Sequence, residues 1–114
     1  MGIRTLVTDY DIILATFNGA KYLLPQLESI SSQTILPIRV FIADDLSNDG
    51  TLEIIKDWAF TQSFFVHLLP KHAARLGSCA NFERLLSSYL SSSSSSFVML
   101  SDQDDIWHRN KAEK

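Results

Sequence analysis

Short apolar segments alternate along this chain with stretches whose apolar residues recur at helical spacing. The apolar segments are Ile12–Ala15, Val40–Ala43, Phe64–Leu69 and Phe97–Leu100. Short runs of this kind, rich in β-branched and aromatic residues and bounded by polar or proline-containing segments, predict buried β-strands. We therefore expect four strands, each separated from the next by a segment of a different periodicity.

The intervening segments predict three helices. The apolar positions that share one helical face are Leu23, Leu27 and Ile30 in the first, Leu52, Ile55 and Ala59 in the second, and Phe82, Leu85, Leu86 and Tyr89 in the third. Proline is tolerated near the start of a helix, so the first helix is expected to begin close to Pro25. Thr51 is expected to be the N-cap of the second helix.

Alternating strands and helices predict an α/β fold, with a mostly parallel, Rossmann-like sheet and helices on both faces. Residues 1–114 are expected to form a single domain. The serine run Ser91–Ser96 is predicted to be an exposed loop before the last strand. In such sheets ligands bind beyond the carboxyl ends of the strands, where the strand order reverses.

Charge and composition narrow the classes of partner. The formal net charge is −3, which gives no reason to expect nucleic-acid binding. No segment has the roughly 18 consecutive apolar residues of a transmembrane helix, and no signal peptide is recognised. Cys79 is the single cysteine, so no disulfide framework or zinc-ligand spacing is present. We therefore expect a domain that works in the cytoplasm.

An acidic cluster follows the fourth predicted strand. It contains Asp102, Asp104 and Asp105. Two carboxylates about 4 Å apart repel by ~1 kcal/mol in water and by ~4 kcal/mol near a protein surface, so the cluster requires protons, basic partners or a cation. Mg²⁺ and Mn²⁺ prefer oxygen ligands, and Mg²⁺ is commonly shared between carboxylates and substrate phosphates. The alternative is a solvated acidic turn that caps a helix starting near Asn110.

Polar residues also follow the first two predicted strands. Asp44 and Asp45 close the second strand and are candidates to accept hydrogen bonds from a base or ribose. Their alternative role is a turn with the serine and asparagine that follow. Thr16, Phe17 and Asn18 come after the first strand and are candidates to line a base pocket. Their alternative role is a simple strand-to-helix turn with Asn18 as the cap.

Taken together, these segments resemble the N-terminal, nucleotide-binding half of a family 2 (GT-A fold) glycosyltransferase. The motifs that carry the resemblance are Thr16-Phe17-Asn18-Gly19, Leu27-Glu28-Ser29-Ile30 with Gln33-Thr34, Asp44-Asp45-Leu46-Ser47-Asn48-Asp49-Gly50-Thr51, Leu76-Gly77 with Asn81-Phe82, and Ser101-Asp102-Gln103-Asp104-Asp105-Ile106-Trp107. They cover nearly all of residues 11–111 in the family's order. The last motif, followed by Lys111, is similar to bacterial members that transfer rhamnose and related sugars to surface polysaccharides.

The resemblance implies a role for each polar segment. Thr16, Phe17 and Asn18 would lie at the base pocket, and Asp45 with Asp44 would contact the base. Asp102 would face the ribose, while Asp104 and Asp105 would bind Mn²⁺ or Mg²⁺ on the diphosphate. Arg75 would approach a phosphate. The donor would be a UDP- or dTDP-linked sugar, transferred with inversion to a glycan or lipid-linked acceptor, in the cytoplasm at the inner face of the membrane.

Three departures from the family pattern matter. Phe17 stands where the family usually has tyrosine, and His72-Ala73-Ala74-Arg75 precedes Leu76-Gly77 where the family often has asparagine. The chain also ends nine residues after Asp105, with no candidate catalytic base or acceptor pocket. We therefore expect a donor-binding half that is inactive alone. The alternatives are a non-catalytic nucleotide- or metal-binding module and an inactive truncated product.

Overall fold

A parallel four-stranded sheet forms the centre of the part of the chain that the structure describes. The computed structural model describes residues 9–92 and 97–101. Along the chain lie β1 (Tyr10–Thr16), α1 (Ala20–Ser31), β2 (Arg39–Asp44), α2 (Thr51–Phe60), β3 (Phe65–Leu68), α3 (Ser78–Ser92) and β4 (Phe97–Ser101). The predicted order of strands and helices is therefore confirmed.

The strand order creates a point at which the direction of the winding reverses. The order across the sheet is β3-β2-β1-β4, and all three neighbouring pairs are parallel. The chain moves outward from β1 through β2 to β3, and then returns to the other side of β1 to form β4. The sheet therefore reverses between β1 and β4, which is where ligands bind in open α/β sheets.

Two apolar layers cover the two faces of the sheet. On one face, Ile12 and Leu14 of β1 pack with Leu27 of α1 and with Ile55 and Trp58 of α2. On the other face, Ile13 of β1 packs with residues of β2 and α3, namely Phe41, Ala43, Leu85 and Tyr89. Burial on both faces explains why β1 and β2 are almost continuously apolar. The prediction of buried strands was wrong for β3 and β4, where Phe65, Val98 and Leu100 are exposed because these strands lie at the two edges of the sheet. The predicted fold class, with helices on both faces, is confirmed.

Three predicted boundaries were wrong. Helix α1 begins at Ala20 and contains Pro25 in its interior, because its buried face already starts at Leu23. That packing offsets the roughly 3 kcal/mol cost of an interior proline. Helix α2 begins at Thr51, so Gly50 rather than Thr51 is its N-cap. Ser91 and Ser92 belong to the end of α3, and the rest of the predicted serine loop lies outside the described residues.

A buried ion pair joins the amino ends of β1 and β2. The side chain of Asp11 is completely buried and binds Arg39, with Nη2 at 2.7 Å from Oδ2 and Nε at 3.3 Å from Oδ1. The Tyr89 hydroxyl donates to the same Oδ2 at 3.0 Å, which ties α3 to the sheet. This network lies at the end of β1 opposite to Thr16.

Over the residues described, no helix is long and apolar enough to span a membrane.

Candidate functional site

The carboxyl ends of β1 and β2 are joined by their last side chains. The Thr16 hydroxyl donates a 2.6 Å hydrogen bond to Oδ1 of Asp44, and both side chains are buried. Asp44 also accepts hydrogen bonds from the amide of Ser47 at 2.8 Å and from its hydroxyl at 2.6 Å. Asp44 thus organises the turn after β2, which was the alternative role predicted for it, and it borders a smaller recess of about 280 Å³.

Asn18 links the loop after β1 to the loop after β2. Its backbone amide donates to Oγ of Ser47 at 2.8 Å, and its side-chain oxygen accepts from the amide of Asn48 at 2.9 Å. Asn18 adopts a positive φ of 46°, a conformation that asparagine tolerates better than most residues. The N-cap of α1 is Gly19, without a side-chain cap, so the alternative in which Asn18 caps this helix is wrong.

Asp49 connects the first turns of two helices. One carboxylate oxygen accepts from the Ala20 amide at 3.1 Å, and the other accepts from the Thr51 amide at 3.2 Å and the Thr51 hydroxyl at 2.5 Å. The hydrogen bond from the Thr51 hydroxyl is the largest cause of the lowered pKa of Asp49. A negative charge here also complements the positive ends of both helix dipoles. Asp49 therefore fixes the loops that border the sheet edge.

Asp45 anchors the loop formed by residues 69–77, between β3 and α3. Only 1% of the residue is exposed. Its Oδ1 accepts from the Leu76 amide at 2.8 Å and lies 2.9 Å from Nε2 of His72, while its Oδ2 accepts from the Gly77 amide at 2.8 Å. Burial raises the pKa of Asp45, but the two amides, His72 and the nearby Arg75 outweigh this and lower the pKa to about 2. The carboxylate is therefore ionised at neutral pH.

A cleft of about 770 Å³ opens at the reversal point between β1 and β4. Its walls are the ends of β1 and β4, the 69–77 loop and the first turns of α3. The residues that line it are Ala15, Thr16, Phe17, Asp45, Arg75, Ser78, Cys79, Asn81, Phe82, Glu83, Leu100 and Ser101. Its volume falls in the range of small-molecule and cofactor sites, roughly 300–1,000 Å³.

Phe17 and Arg75 meet at one end of this cleft. The guanidinium carbon of Arg75 lies 3.6 Å from the centroid of the Phe17 ring, and Nε of the same side chain lies 3.4 Å from Oδ2 of Asp45. An aromatic ring, a cation and a buried anion therefore lie next to one another in the wall of the cleft. At the adjacent wall, Ser78 and Cys79 lie in the first turn of α3, where the helix dipole favours negative ligands.

The predicted site residues fall into three groups. Thr16, Phe17, Asp45 and Arg75 line the cleft, whereas Asn18 and Asp44 hold the adjacent loops. Asp102, Asp104 and Asp105 lie outside the described residues, but they directly follow Ser101, which lines the cleft at the end of β4. In the portion that is described, no group of three His, Cys, Asp or Glu side chains is arranged to hold a metal ion.

Several residues that shape the cleft were not predicted as site residues. His72 contacts Asp45, with Nε2 2.9 Å from Oδ1. Asn81 lines the cleft and donates from Nδ2 to the Ala43 carbonyl at 2.9 Å, so it fixes α3 against the end of β2. The signal for Asn81 was present, because a polar residue lies among the apolar positions of the α3 face. No comparable local signal marked His72, whose contact depends on the folding of the 69–77 loop.

Comparison with known proteins agrees with this geometry. The sequence model described as glycosyl transferase family 2 matches residues 11–114. The chain belongs to this family. The dTDP-rhamnosyl transferase RfbG of Shigella flexneri is 36% identical over 98 residues, which cover 86% of this chain and 34% of that protein. The chain thus spans about a third of the length of this curated relative.

Solved glycosyltransferase structures share the fold. TarS from S. aureus, solved in complex with UDP, superimposes with a TM-score of 0.69 at 26% identity, covering 90% of this chain and 29% of the other. The mannosyltransferase PcManGT from Pyrobaculum calidifontis, in complex with GDP-Man and Mn²⁺, gives a TM-score of 0.70 at 24% identity, covering 86% and 28% respectively. Both similarities confirm the predicted GT-A type of fold.

Proposed function

We propose that this chain is the donor-binding part of a glycosyltransferase and that it binds a nucleoside-diphosphate sugar in the cleft between β1 and β4. The observation that carries the proposal is the position of this cleft. It lies at the reversal point of the sheet, it has an aromatic face at one end, and the acidic cluster follows directly from its wall at Ser101. The relatives that act on dTDP-rhamnose or bind UDP support a UDP- or dTDP-linked donor.

The base would occupy the end of the cleft that Thr16, Phe17 and Asp45 line. The phenyl ring of Phe17 offers a stacking face, which every nucleobase can use. Asp45 offers an ionised acceptor for a base N–H group. Asn18 and Asp44 would act indirectly, because their hydrogen bonds hold the loops on which these groups lie.

The diphosphate would lie toward the end of β4. The first turn of α3 supplies positive potential there, and Arg75 would approach the phosphate oxygens from the base end of the cleft. Asp102 would face the ribose, and Asp104 with Asp105 would hold Mn²⁺ or Mg²⁺. Their carboxylate oxygens have the donor chemistry that these ions prefer, and a bound ion would neutralise charge on the leaving nucleoside diphosphate.

The transfer reaction would require sequence beyond the cleft described here. A glycan or lipid-linked acceptor and a base to activate its hydroxyl are proposed for the complete enzyme, which would act in the cytoplasm at the inner face of the membrane. We propose that residues 1–114 bind the donor and that transfer of the sugar belongs to the complete enzyme. Measurable sugar transfer or donor hydrolysis by residues 1–114 alone would contradict this division of roles while leaving the donor site in place.

Thermal unfolding with UDP, dTDP and GDP, each with and without Mn²⁺, tests the proposal. A ligand at 100 times its Kd should stabilise the fold by about 2.7 kcal/mol. Asp104→Asn should remove the part of this stabilisation that depends on Mn²⁺ and leave the unfolding of the protein without nucleotide unchanged. If no nucleotide raises the unfolding temperature under either condition, the donor-site proposal is wrong. A large loss of stability in Asp104→Asn without nucleotide would instead favour the helix-capping role of the cluster.

A further inference from the structure

We propose that the guanidinium of Arg75 is an internal substitute for the nucleotide base and exchanges with it when a nucleotide binds. This inference rests on the proposed function of the cleft and adds a determinant of specificity to it. Without nucleotide, Arg75 contacts Phe17 and Asp45; with nucleotide bound, it would contact the phosphates instead.

Arg75 already occupies the aromatic face at the base end of the cleft. Its guanidinium carbon lies 3.6 Å from the centroid of the Phe17 ring. This separation is a van der Waals contact between planar groups, and it is the distance at which a base would stack. Because the guanidinium covers that ring face, a base cannot stack on the same face of Phe17 until the arginine leaves.

Arg75 also forms a salt bridge with Asp45 and approaches its remaining acceptor position. An ionised carboxylate has about four lone-pair sites. His72 and the Leu76 amide take those of Oδ1, the Gly77 amide takes one of Oδ2, and Nε of Arg75 approaches Oδ2 at 3.4 Å. The guanidinium therefore combines a flat face with an N–H donor, as a pyrimidine or purine with a ring N–H does.

The exchange requires movement of a side chain only. The backbone on the carboxyl side of Arg75 is fixed, because the amides of Leu76 and Gly77 are bound to buried Asp45. The side chain of Arg75 is 54% exposed, so it is free to rotate toward solvent or along the cleft. Rotation along the cleft would bring its charge toward the site proposed for the diphosphate.

The free energy of binding, which includes the cost of displacing Arg75, therefore depends on whether the ligand carries phosphates. A nucleoside has to displace Arg75 from Phe17 and Asp45 and offers the displaced cation no anion in return. A nucleoside diphosphate offers phosphate oxygens, so the displaced guanidinium gains a charge-assisted pair. Arg75 should therefore weaken the binding of nucleosides and strengthen the binding of nucleoside diphosphates.

Two variants and one control test the exchange, with uridine and UDP as one pair of probes and thymidine and dTDP as the other. Arg75→Ala removes the contact with Phe17, and loss of an exposed cation–π contact should tighten uridine binding by roughly two- to fivefold. The same variant should weaken UDP binding by about tenfold, because a hydrogen bond to a charged group is lost. Arg75→Lys retains the charge without the planar group, so it should tighten uridine binding while largely retaining UDP binding.

Lys71→Ala is the matched control, since it removes a positive charge from the same loop at a residue that does not line the cleft. It should change the affinities for uridine and UDP in the same direction and by less than about twofold, as expected for a distant surface charge. Affinities are measured by calorimetry for UDP and by competition against bound UDP for uridine. Unfolding without nucleotide should be similar in all variants, which shows that they are folded.

Arg75→Ala is expected to tighten uridine binding and to weaken UDP binding. These opposite changes in affinity distinguish the exchange from a merely structural role of Arg75. If Arg75→Ala weakens both ligands alike, or binds uridine no more tightly than the unaltered chain does, the exchange is wrong while the donor site stands. If the unaltered chain binds neither UDP nor dTDP, the proposed function itself fails, and the exchange fails with it.

Discussion

The carboxylate of Asp45 accepts a hydrogen bond from the backbone amide of Gly77 at 2.8 Å, across 32 positions of the chain. This contact joins the end of β2 to the loop that precedes α3, and the Leu76 amide adds a second bond to the same carboxylate. One buried anion therefore fixes the wall of the cleft that carries Arg75. A variant that weakens this anchor should affect both stability and ligand binding.

Replacing Asp45 by asparagine should destabilise the fold at neutral pH by about 2–3 kcal/mol. The asparagine retains one acceptor oxygen but points an NH₂ group at a backbone N–H donor, so one buried amide loses its acceptor. Chemical denaturation at pH 7 measures this loss, and Asp57→Asn, an exposed carboxylate on α2, is the control. Equal stability of the two variants would contradict the anchoring role of Asp45.

The stabilisation from Asp45 should disappear in acid. Its pKa is lowered from 3.8 to about 2 in the folded protein. The folded state therefore binds this proton less readily than the unfolded state does, and the stabilisation is present above about pH 4 and lost as the pH falls toward 2. A shift of this size corresponds to about 2 kcal/mol. The difference in unfolding free energy between the unaltered chain and Asp45→Asn should shrink over this interval, and a constant difference would be evidence against the ionised anchor.

Replacing Asp11 by alanine should cost more stability than replacing Asp45, without affecting the cleft. Asp11 is completely buried and binds both Arg39 and Tyr89, and breaking a buried ion pair costs about 3–5 kcal/mol. Tyr89→Phe removes only one hydrogen bond and should cost about 1–2 kcal/mol. Denaturation measures both values, and calorimetry under folding conditions should give an unchanged Kd for UDP. A reduced affinity would mean that the amino end of the sheet is coupled to the site.

Two glycines have a positive φ, and replacing each by alanine distinguishes the cost of backbone strain from an effect on ligand binding. Gly50 and Gly77 have φ of 92° and 88°, and an added Cβ would meet no atom within 4 Å at either position. Alanine should therefore destabilise each by a similar amount, about 1 kcal/mol, from backbone conformation alone. Only Gly77→Ala should also weaken UDP binding, because the Gly77 amide holds the Arg75 loop to Asp45. Equal UDP affinities in the two variants would exclude this route from the loop to the site.

Cys79 provides a direct probe of the cleft. It is the only cysteine of the chain, it is exposed, and it lines the cleft from the first turn of α3. A bound nucleotide should slow its reaction with a thiol reagent at least severalfold, while labelling of the unfolded chain in urea should be unaffected by the nucleotide. If labelling is unchanged at a UDP concentration that saturates binding, the nucleotide binds elsewhere.

The alternation of elements was predictable from the sequence because each element carries its own apolar signature. The central strands β1 and β2 are buried on both faces, so Val40–Ala43 is a continuous apolar run. In β4, by contrast, Val98 and Leu100 are 40% and 57% exposed although the run is equally apolar. The helices each pack one face against the sheet, so their apolar residues recur at helical spacing. The start of α1 was predicted too late because proline is most common near the start of a helix. That rule takes no account of the packing of Leu23, which lies before Pro25.

The site was predictable only in outline. Thr16 is the last residue of β1 and Asp45 directly follows β2, so their approach to one edge of the parallel sheet follows from the fold. The contact between Phe17 and Arg75 depends instead on how the 69–77 loop folds, and that depends on the amides of Leu76 and Gly77 reaching Asp45. Nothing in the local sequence marks such backbone contacts. For the same reason, the contact between His72 and Asp45 could not be predicted from the sequence.

A crystal structure of the chain grown with UDP or dTDP and Mn²⁺ would show directly where the nucleotide binds. We expect density for the base in the cleft between β1 and β4, in contact with Phe17 and Thr16 at roughly 3.5–4 Å, and density for the diphosphate beyond the end of β4. A nucleotide bound elsewhere, for example in the recess bordered by Lys56 and Lys71, would show that this cleft is not the donor site.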